Sequence, residues 1–236
     1  MIYVTGDIHG GKHVAKLGAF TKKKIFIGYD YVIICGDFGV LWKPGEELYW
    51  LNWINKKPWT TLWVDGNHEN FDMLKGYPVV EFCGGKAHKI TDKIYHLMRG
   101  EVFTIEDKTF FALGGAESHD RECRTENVTW WAGEMPSDDE YDNAVRNLEK
   151  HNWSVDYIIS HCCASSVQDV IAKDKGYNKY PHNRLTDFFE NVILERCRFN
   201  KWFFGHYHDN IDMDGEFIGL FNCIYDLQEE KLVELS

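Results

Sequence analysis

Only five prolines occur in 236 residues, and no Pro/Gly-rich linker, low-complexity tract or internal repeat divides the chain. Domain boundaries fall in such stretches, so residues 1–236 read as a single domain, long enough to bury a real core. No apolar run approaches the roughly 20 residues that a membrane helix needs. The opening residues, MIYVTGDIHG, run from a strand straight into a turn, which leaves no room for a signal peptide. Basic runs are also scarce. Lys and Arg total 26 against 37 Asp and Glu, a net charge of -11. The cluster Lys22-Lys23-Lys24 reads as a solvated helix end. Non-specific duplex binding depends on basic surface, so long nucleic acids are disfavoured as partners. Seven cysteines form an odd set without disulfide-like spacing, and Cys162 and Cys163 are adjacent. Free thiols in a reducing compartment follow, hence a cytoplasmic protein with no membrane partner.

What the chain has in quantity is apolar residues, at 44%, with nine Trp among them. Five short runs rich in β-branched or aromatic residues stop at polar loops: Ile2–Thr5, Tyr31–Cys35, Thr61–Val64, Tyr157–Ser160 and Lys201–Phe204. Near-continuous apolar runs of this length suit strands buried on both faces. Helical patterns lie between them. Ser137-Asp138-Asp139-Glu140 is a capping box that opens a helix to about Lys150. Leu185, Phe188, Phe189, Val192 and Ile193 recur at helical spacing between Asn183 and Arg198. Weaker helical patterns cover 13–23 and 46–55, and the segments 102–113 and 216–227 look like strands of a more antiparallel kind. Strands alternating with helices predict an α/β layered domain.

The loops that end the five runs read Gly-Asp-Ile-His, Gly-Asp, Gly-Asn-His-Glu, Ser-His and Gly-His-Tyr-His. Ligands bind where loops converge at the carboxyl ends of strands. The residues delivered there are Asp7, His9, Asp37, Asn67, His161, His206 and His208. Oxygen and imidazole donors without thiolate suit Mn²⁺, Fe or Zn²⁺ and not a structural zinc site. Seven ligands are too many for one open ion and about right for two that share a bridge, the usual device for phosphoryl chemistry. A lone His or Gly-Asp after a strand is commonplace; five such endings in one chain are not. His206 and His208 are two apart and would point the same way on an extended segment, so Gly205 is expected to turn the chain between them.

The ordered blocks GDIHG (6–10), GD (36–37), GNHE (66–69), SH (160–161) and GHYH (205–208) closely resemble the calcineurin-like metallophosphoesterase superfamily across most of the chain. The resemblance implies a four-layer α-β-β-α sandwich of two mixed sheets flanked by helices, with a dinuclear metal site at the strand ends. It implies that Asp7, His9 and His208 hold one cation, that Asn67, His161 and His206 hold the other, and that Asp37 bridges both. His68 is implied to stay off the metals and face the substrate. The two divalent ions are expected to be Mn²⁺, with Fe or Zn²⁺ as alternatives.

The implied activity is that of a phosphoric ester hydrolase. A hydroxide shared by the two cations attacks phosphorus in line, Asn67 and the metals neutralise charge, and His68 protonates the leaving oxygen. The substrate is a phosphorylated small molecule, nucleotide or phosphoprotein. Monoester hydrolysis, resembling Ser/Thr protein phosphatases, competes with phosphodiester cleavage of nucleotides or nucleic-acid ends. A non-catalytic interaction module is a remote third reading, since no ligand is lost. One departure bears on this choice. The phosphoprotein phosphatase branch continues Gly-Asp-x-x-Asp-Arg-Gly, where the Asp supports the catalytic His and the Arg grips phosphate; here Val40 replaces the Asp and no Arg follows. Arg121 or Arg124, after Gly114-Gly115, is the substitute clamp expected from sequence, unless each is a surface Arg paired with Glu122 or Glu126.

Overall fold

A computed structural model describes residues 1–26, 28–233 and 235. The chain lays down β1 (Ile2–Thr5), β2 (Asp30–Cys35), β3 (Trp59–Val64), β4 (Val79–Phe82), β5 (Gly85–Lys89) and β6 (Ile94–Leu97) in a first sheet. It then builds a second sheet from β7 (Glu101–Ile105), β8 (Lys108–Leu113), β9 (Tyr157–Ser160), β10 (Lys201–Phe204), β11 (Ile211–Met213) and β12 (Phe217–Gly219). It returns to the first sheet as β13 (Ile224–Asp226) and β14 (Lys231–Val233). The orders are β14-β13-β1-β2-β3-β6-β5-β4 and β11-β12-β10-β9-β8-β7. Each sheet has a parallel centre, β1-β2-β3-β6 in one and β12-β10-β9-β8 in the other, with antiparallel strands outside it.

Alternation along the five apolar runs explains the layering. Ile2, Val4, Ile33, Cys35, Leu62 and Val64 face the second sheet and meet Phe110, Ile159 and Phe203 from it. Their neighbours Tyr3, Val32, Ile34 and Trp63 face the other way, onto α1 (Ala15–Lys23), α2 (Glu47–Asn55) and α3 (Phe71–Lys75). Phe111, Ile158, Trp202 and Phe204 face outward from the second sheet, against α4 (Asp138–Lys150), α5 (Ser165–Asp174) and α6 (Arg184–Phe188). Because successive side chains point to opposite faces, strands apolar at every position must be covered twice. Three cores between four layers are the result, which is the sandwich that the resemblance implies. Among the described residues no helix is long and apolar enough to cross a membrane.

The helices start where local chemistry sets them. Ser137 accepts from the Glu140 amide, and Glu140 reaches back to the Ser137 amide, so the capping box that opens α4 forms in full. Asn183 caps α6 in the same reciprocal way with Thr186. The helical stripe of residues 183–198 continues beyond α6 in a π-wound turn, Phe189–Leu194. All seven cysteines are free.

The stretch β4–β6 buries few apolar side chains, Ala87, Ile94 and Leu97 among them, and relies on strand pairing for the rest. Across β5–β6, His88 stacks on His96 at 28°, with the two Nδ1 atoms 3.1 Å apart. Burial first, and then repulsion from His96, lowers the His88 pKa from 6.5 to about 4. The unfolded chain therefore binds more protons than the fold between those values, so stability rises with pH across this window and is lost as pH falls from 6.5 toward 4. Urea unfolding midpoints should drop over that range in the wild type, and His88→Gln should flatten the drop; an unchanged slope would contradict this assignment.

Candidate functional site

β1, β2 and β3 run parallel, as do β9 and β10, so their carboxyl ends gather at one edge of the sandwich. The loops after them approach more closely than side chains on every residue would allow. A Cβ at Gly66 would lie 2.2 Å from Asp37 Oδ1, and one at Gly205 would lie 2.2 Å from Asp7 Oδ1. Here glycine supplies space. Functional residues share the turning with Gly10 and Gly36, at φ of 58° and 85°: His9, Asp37, His206 and His208 have φ of 44°, 47°, 66° and 50°. Left-handed backbone at a residue with a side chain costs about 1–3 kcal/mol, and such strain concentrates at functional sites. This corrects the expected role of Gly205, whose φ is not positive; consecutive left-handed turns at 206 and 208 aim the two rings apart.

Asp7, His9, Asp37 and His208 offer ligand atoms that all lie within 4.8 Å of one another. Asp37 is the centre. Its Oδ2 lies 3.1 Å from His9 Nε2, and its Oδ1 lies 3.2 Å from His161 Nε2 and accepts from the His68 amide at 2.8 Å. His208 Nε2 is 3.1 Å from Asp7 Oδ2, and its ring is 5.0 Å from that of His9. His206 turns to the other side, with its amide donating to Asp7 Oδ1 and its ring 4.9 Å from His161. Asn67 Oδ1 lies 3.2 Å from His161 Nε2. The seven named residues thus form two adjoining groups that meet at Asp37.

The donor chemistry fits cations at this place. His161 Nδ1 faces the Cys35 carbonyl at 2.8 Å, and a carbonyl only accepts, so Nδ1 carries the proton. Its Nε2 then points at two oxygens, Asp37 Oδ1 and Asn67 Oδ1. A neutral imidazole would oppose lone pair to lone pair there; a proton or a cation resolves the conflict. Asp7 Oδ2, fully buried, is approached among the described residues by His208 Nε2 alone, at 3.1 Å. Burial would raise the Asp37 carboxyl, but the charge and hydrogen bond of His161, with that of His9, hold it well below the usual range. Asp7 is lowered as well: burial opposes this, and His208 and His161 outweigh it. Burial, and then His161, pushes His206 down to about 3, which keeps its ring neutral and able to coordinate.

Several residues that sequence reasoning left without a role hold this arrangement. Lys16, on the buried face of α1, donates to the carbonyls of Gly6 and Asp7 at 2.8 and 2.9 Å and also to that of Phe221. A lysine inside an apolar helical stripe was the available signal. Glu69 accepts from the amides of Phe38 and Gly39 and so braces the loop that carries Asp37. Asn67 Nδ2 donates to Ser118 Oγ at 3.2 Å, and Ser118 Oγ donates to Glu134 Oε2 at 2.6 Å; all three residues are buried. This chain of bonds turns Asn67 Oδ1 toward His161. Arg99 then clamps the Glu134 carbonyl and the Asp65 carboxylate together.

His68 faces the cleft, and Arg124 Nη1 is 3.4 Å from its Nδ1. Arg124 is held by Asp120 at 2.7 Å and by the Thr129 carbonyl at 3.2 Å. Arg121 lies elsewhere: it is exposed, 3.8 Å from Glu117, and lines neither of the cavities beside His68. Those cavities, of about 550 and 310 Å³, open on either side of His68 and Arg124. Tyr180 reaches the smaller one beside His119. Val40, at the sequence position of the branch's Asp, is buried in the core at 4% exposure.

The family model described as calcineurin-like phosphoesterase matches residues 1–210. No curated protein matches the chain.

Among the described residues Asn67 is the one cluster residue that Ser118 hydrogen-bonds, so its substitution isolates the value of orienting that amide. If Asn67 is a metal ligand, Ser118→Ala should weaken Mn²⁺ binding on the Asn67 side of Asp37 by about 10- to 100-fold in calorimetric titration and leave the Asp7–His9–His208 side unchanged. Equal weakening of both sites, or none, would contradict the relay.

Proposed function

From a chain that belongs to the calcineurin-like phosphoesterase family, we propose a metal-dependent phosphomonoesterase in which Asp7, His9 and His208 hold one divalent cation, Asn67, His161 and His206 hold a second, and Asp37 touches both. The observation that carries this reading is the convergence on Asp37 of ring nitrogens from two sides, His9 at 3.1 Å and His161 at 3.2 Å. Mn²⁺ suits the mixed carboxylate, carboxamide and imidazole set, as do Fe and Zn²⁺. Bound there, the cations supply Lewis acidity that makes water nucleophilic near neutral pH and offset charge on the phosphoryl oxygens.

The protein's own residues do the rest. Asp37 and Asp7 stay ionised, and His206 stays neutral, for the reasons of burial and pairing given above. An arginine only donates, so its approach to His68 Nδ1 makes that nitrogen an acceptor and puts the ring proton on Nε2. Burial also lowers the His68 pKa, so the resting ring is neutral and its Nε2–H can hydrogen-bond the leaving oxygen. We assign general-acid catalysis to the ring once Nδ1 has taken up a second proton: the Nε2 proton then passes to the leaving oxygen as its bond to phosphorus breaks, and a neutral imidazole remains. Arg124 stands where a guanidinium can pair with a phosphoryl oxygen, and Asp120 fixes it in the absence of the Asp and Arg that the phosphoprotein phosphatase branch uses. A second reading, phosphodiester hydrolysis, is favoured by the larger cavity next to the cluster, bounded by His9, His68 and Arg124, which has room for a second substituent on phosphorus.

Metal-stripped protein should hydrolyse p-nitrophenyl phosphate only when Mn²⁺ is restored, and faster than bis-p-nitrophenyl phosphate. His68→Ala should lower kcat by about 10²–10⁴. Arg124→Lys, which keeps the charge and loses the fork, should raise KM and lower kcat together. Metal-dependent turnover of neither ester would remove the enzymatic reading, and a preference for the diester would select the second one.

A further inference from the structure

The larger cavity beside His68 has walls of a kind that phosphoryl transfer itself does not require. Trp42 and Trp50 line it, Lys12 and Lys43 stand at its rim, and His9, His68 and Arg124 close its inner end. Both tryptophans are only partly buried, whereas Trp59, Trp63 and Trp202 are fully buried in the cores. Their rings are nevertheless held. The Trp42 carbonyl accepts from Asn70 Nδ2 at 3.0 Å, and its ring meets buried Trp131 edge-on at 5.3 Å. Trp50 lies against Gly11, where a Cβ would come within 2.7 Å of its ring, and meets Tyr49 and Trp53 edge-on at 4.9 and 5.9 Å. Fixed aromatic surfaces facing open space stack a flat ring with little loss of side-chain entropy.

The charge of this corner opposes that of the chain. The protein carries a net charge of -11, yet the cavity has Lys12, Lys43 and Arg124 against Glu46 alone. Among the described residues no carboxylate pairs with Lys12. Lys43 meets Glu46 only at 3.7 Å, with both side chains mostly exposed, a contact worth little. The corner therefore suits a planar ring and an anionic group together, next to the site where a phosphate ester would be cleaved. An aryl phosphate has the ring without a second anion; a sugar phosphate has anions without the ring.

We propose that this cavity is a subsite for a nucleotide leaving group, with the base against Trp42 and Trp50 and a phosphate other than the one cleaved at Lys12 and Lys43. This rests on the phosphomonoesterase reading and names its substrate class: nucleotides with a further phosphate on a sugar hydroxyl. In the reaction the phosphorus–oxygen bond to that sugar oxygen breaks, water oxygen bonds to phosphorus, and the sugar oxygen takes a proton, which releases a nucleoside monophosphate and inorganic phosphate.

Adenosine 5′-monophosphate, the leaving group itself, tests the subsite without turnover. Its binding to metal-free protein, followed by calorimetry and tryptophan fluorescence, should be at least about tenfold tighter than that of ribose 5-phosphate, because of base stacking. It should also be tighter than that of phenyl phosphate. Trp42→Leu should remove the preference over ribose 5-phosphate. The double variant Lys12→Gln/Lys43→Gln, confined to exposed side chains, should weaken adenosine 5′-monophosphate and leave adenosine unchanged. Equal binding of adenosine 5′-monophosphate and either phosphate ester, or no response to both sets of variants, would overturn the subsite. The two readings fail separately. Selective nucleotide binding without hydrolysis of any ester would refute the enzymatic reading alone, and Mn²⁺-dependent hydrolysis without nucleotide preference would refute the subsite alone.

Discussion

A single buried carboxylate governs the edge of this sandwich. Asp37, 1% exposed, touches the loops after β1, β3 and β9 through His9, the His68 amide and His161. A carboxylate so far from water is costly unless it is paired and hydrogen-bonded. The loops around it therefore cannot drift apart independently: each supplies part of what makes its burial tolerable. The same pairing explains why the strand order matters. With β2 between β1 and β3 in one sheet, and β9 beside β10 in the other, a residue at the end of β2 is within reach of all the rest.

Holding several histidines and two carboxylates together stores strain and repulsion, and the surrounding structure offsets both. Four site residues sit in left-handed backbone. Glu69 and Lys16 tie down the loops that carry two of them, through backbone amides at 38 and 39 and carbonyls at 6 and 7. Asn67 is aimed by Ser118 and Glu134, and Arg99 fastens Glu134 to Asp65 at the end of β3. These groups hold the cluster in place through hydrogen bonds and the buried Arg99–Asp65 ion pair, and donor atoms held so close are suited to cations.

The layered fold was legible because its strands are apolar at every position and its loops end in Gly, Asp or His. Alternation, once the sheets are known, assigns Val4 to one core and Tyr3 to another. Residues 79–97 were not legible, since a strand such as Gly85–Lys89 is defined by its partners and not by its composition. That Asp7, His9, Asp37 and His208 come together was legible for a related reason: short rigid polar side chains recur at the strand ends, which the fold gathers at one edge. Its supports were not. Ser118, Glu134 and Lys16 are common residue types whose meaning comes from contacts 9 to 205 positions away in sequence. The choice between Arg121 and Arg124 was also beyond sequence, because both follow the same glycine pair and only the turn at 121–123 decides which one faces His68.

The central claim is that Asp37 is shared between two cations. Anomalous diffraction from crystals soaked in Mn²⁺ measures this directly. The account predicts two peaks roughly 3.5–4 Å apart, with Asp37 a ligand of both, His208 on one and His206 on the other. A single peak, or both of these histidines on one ion, would contradict it.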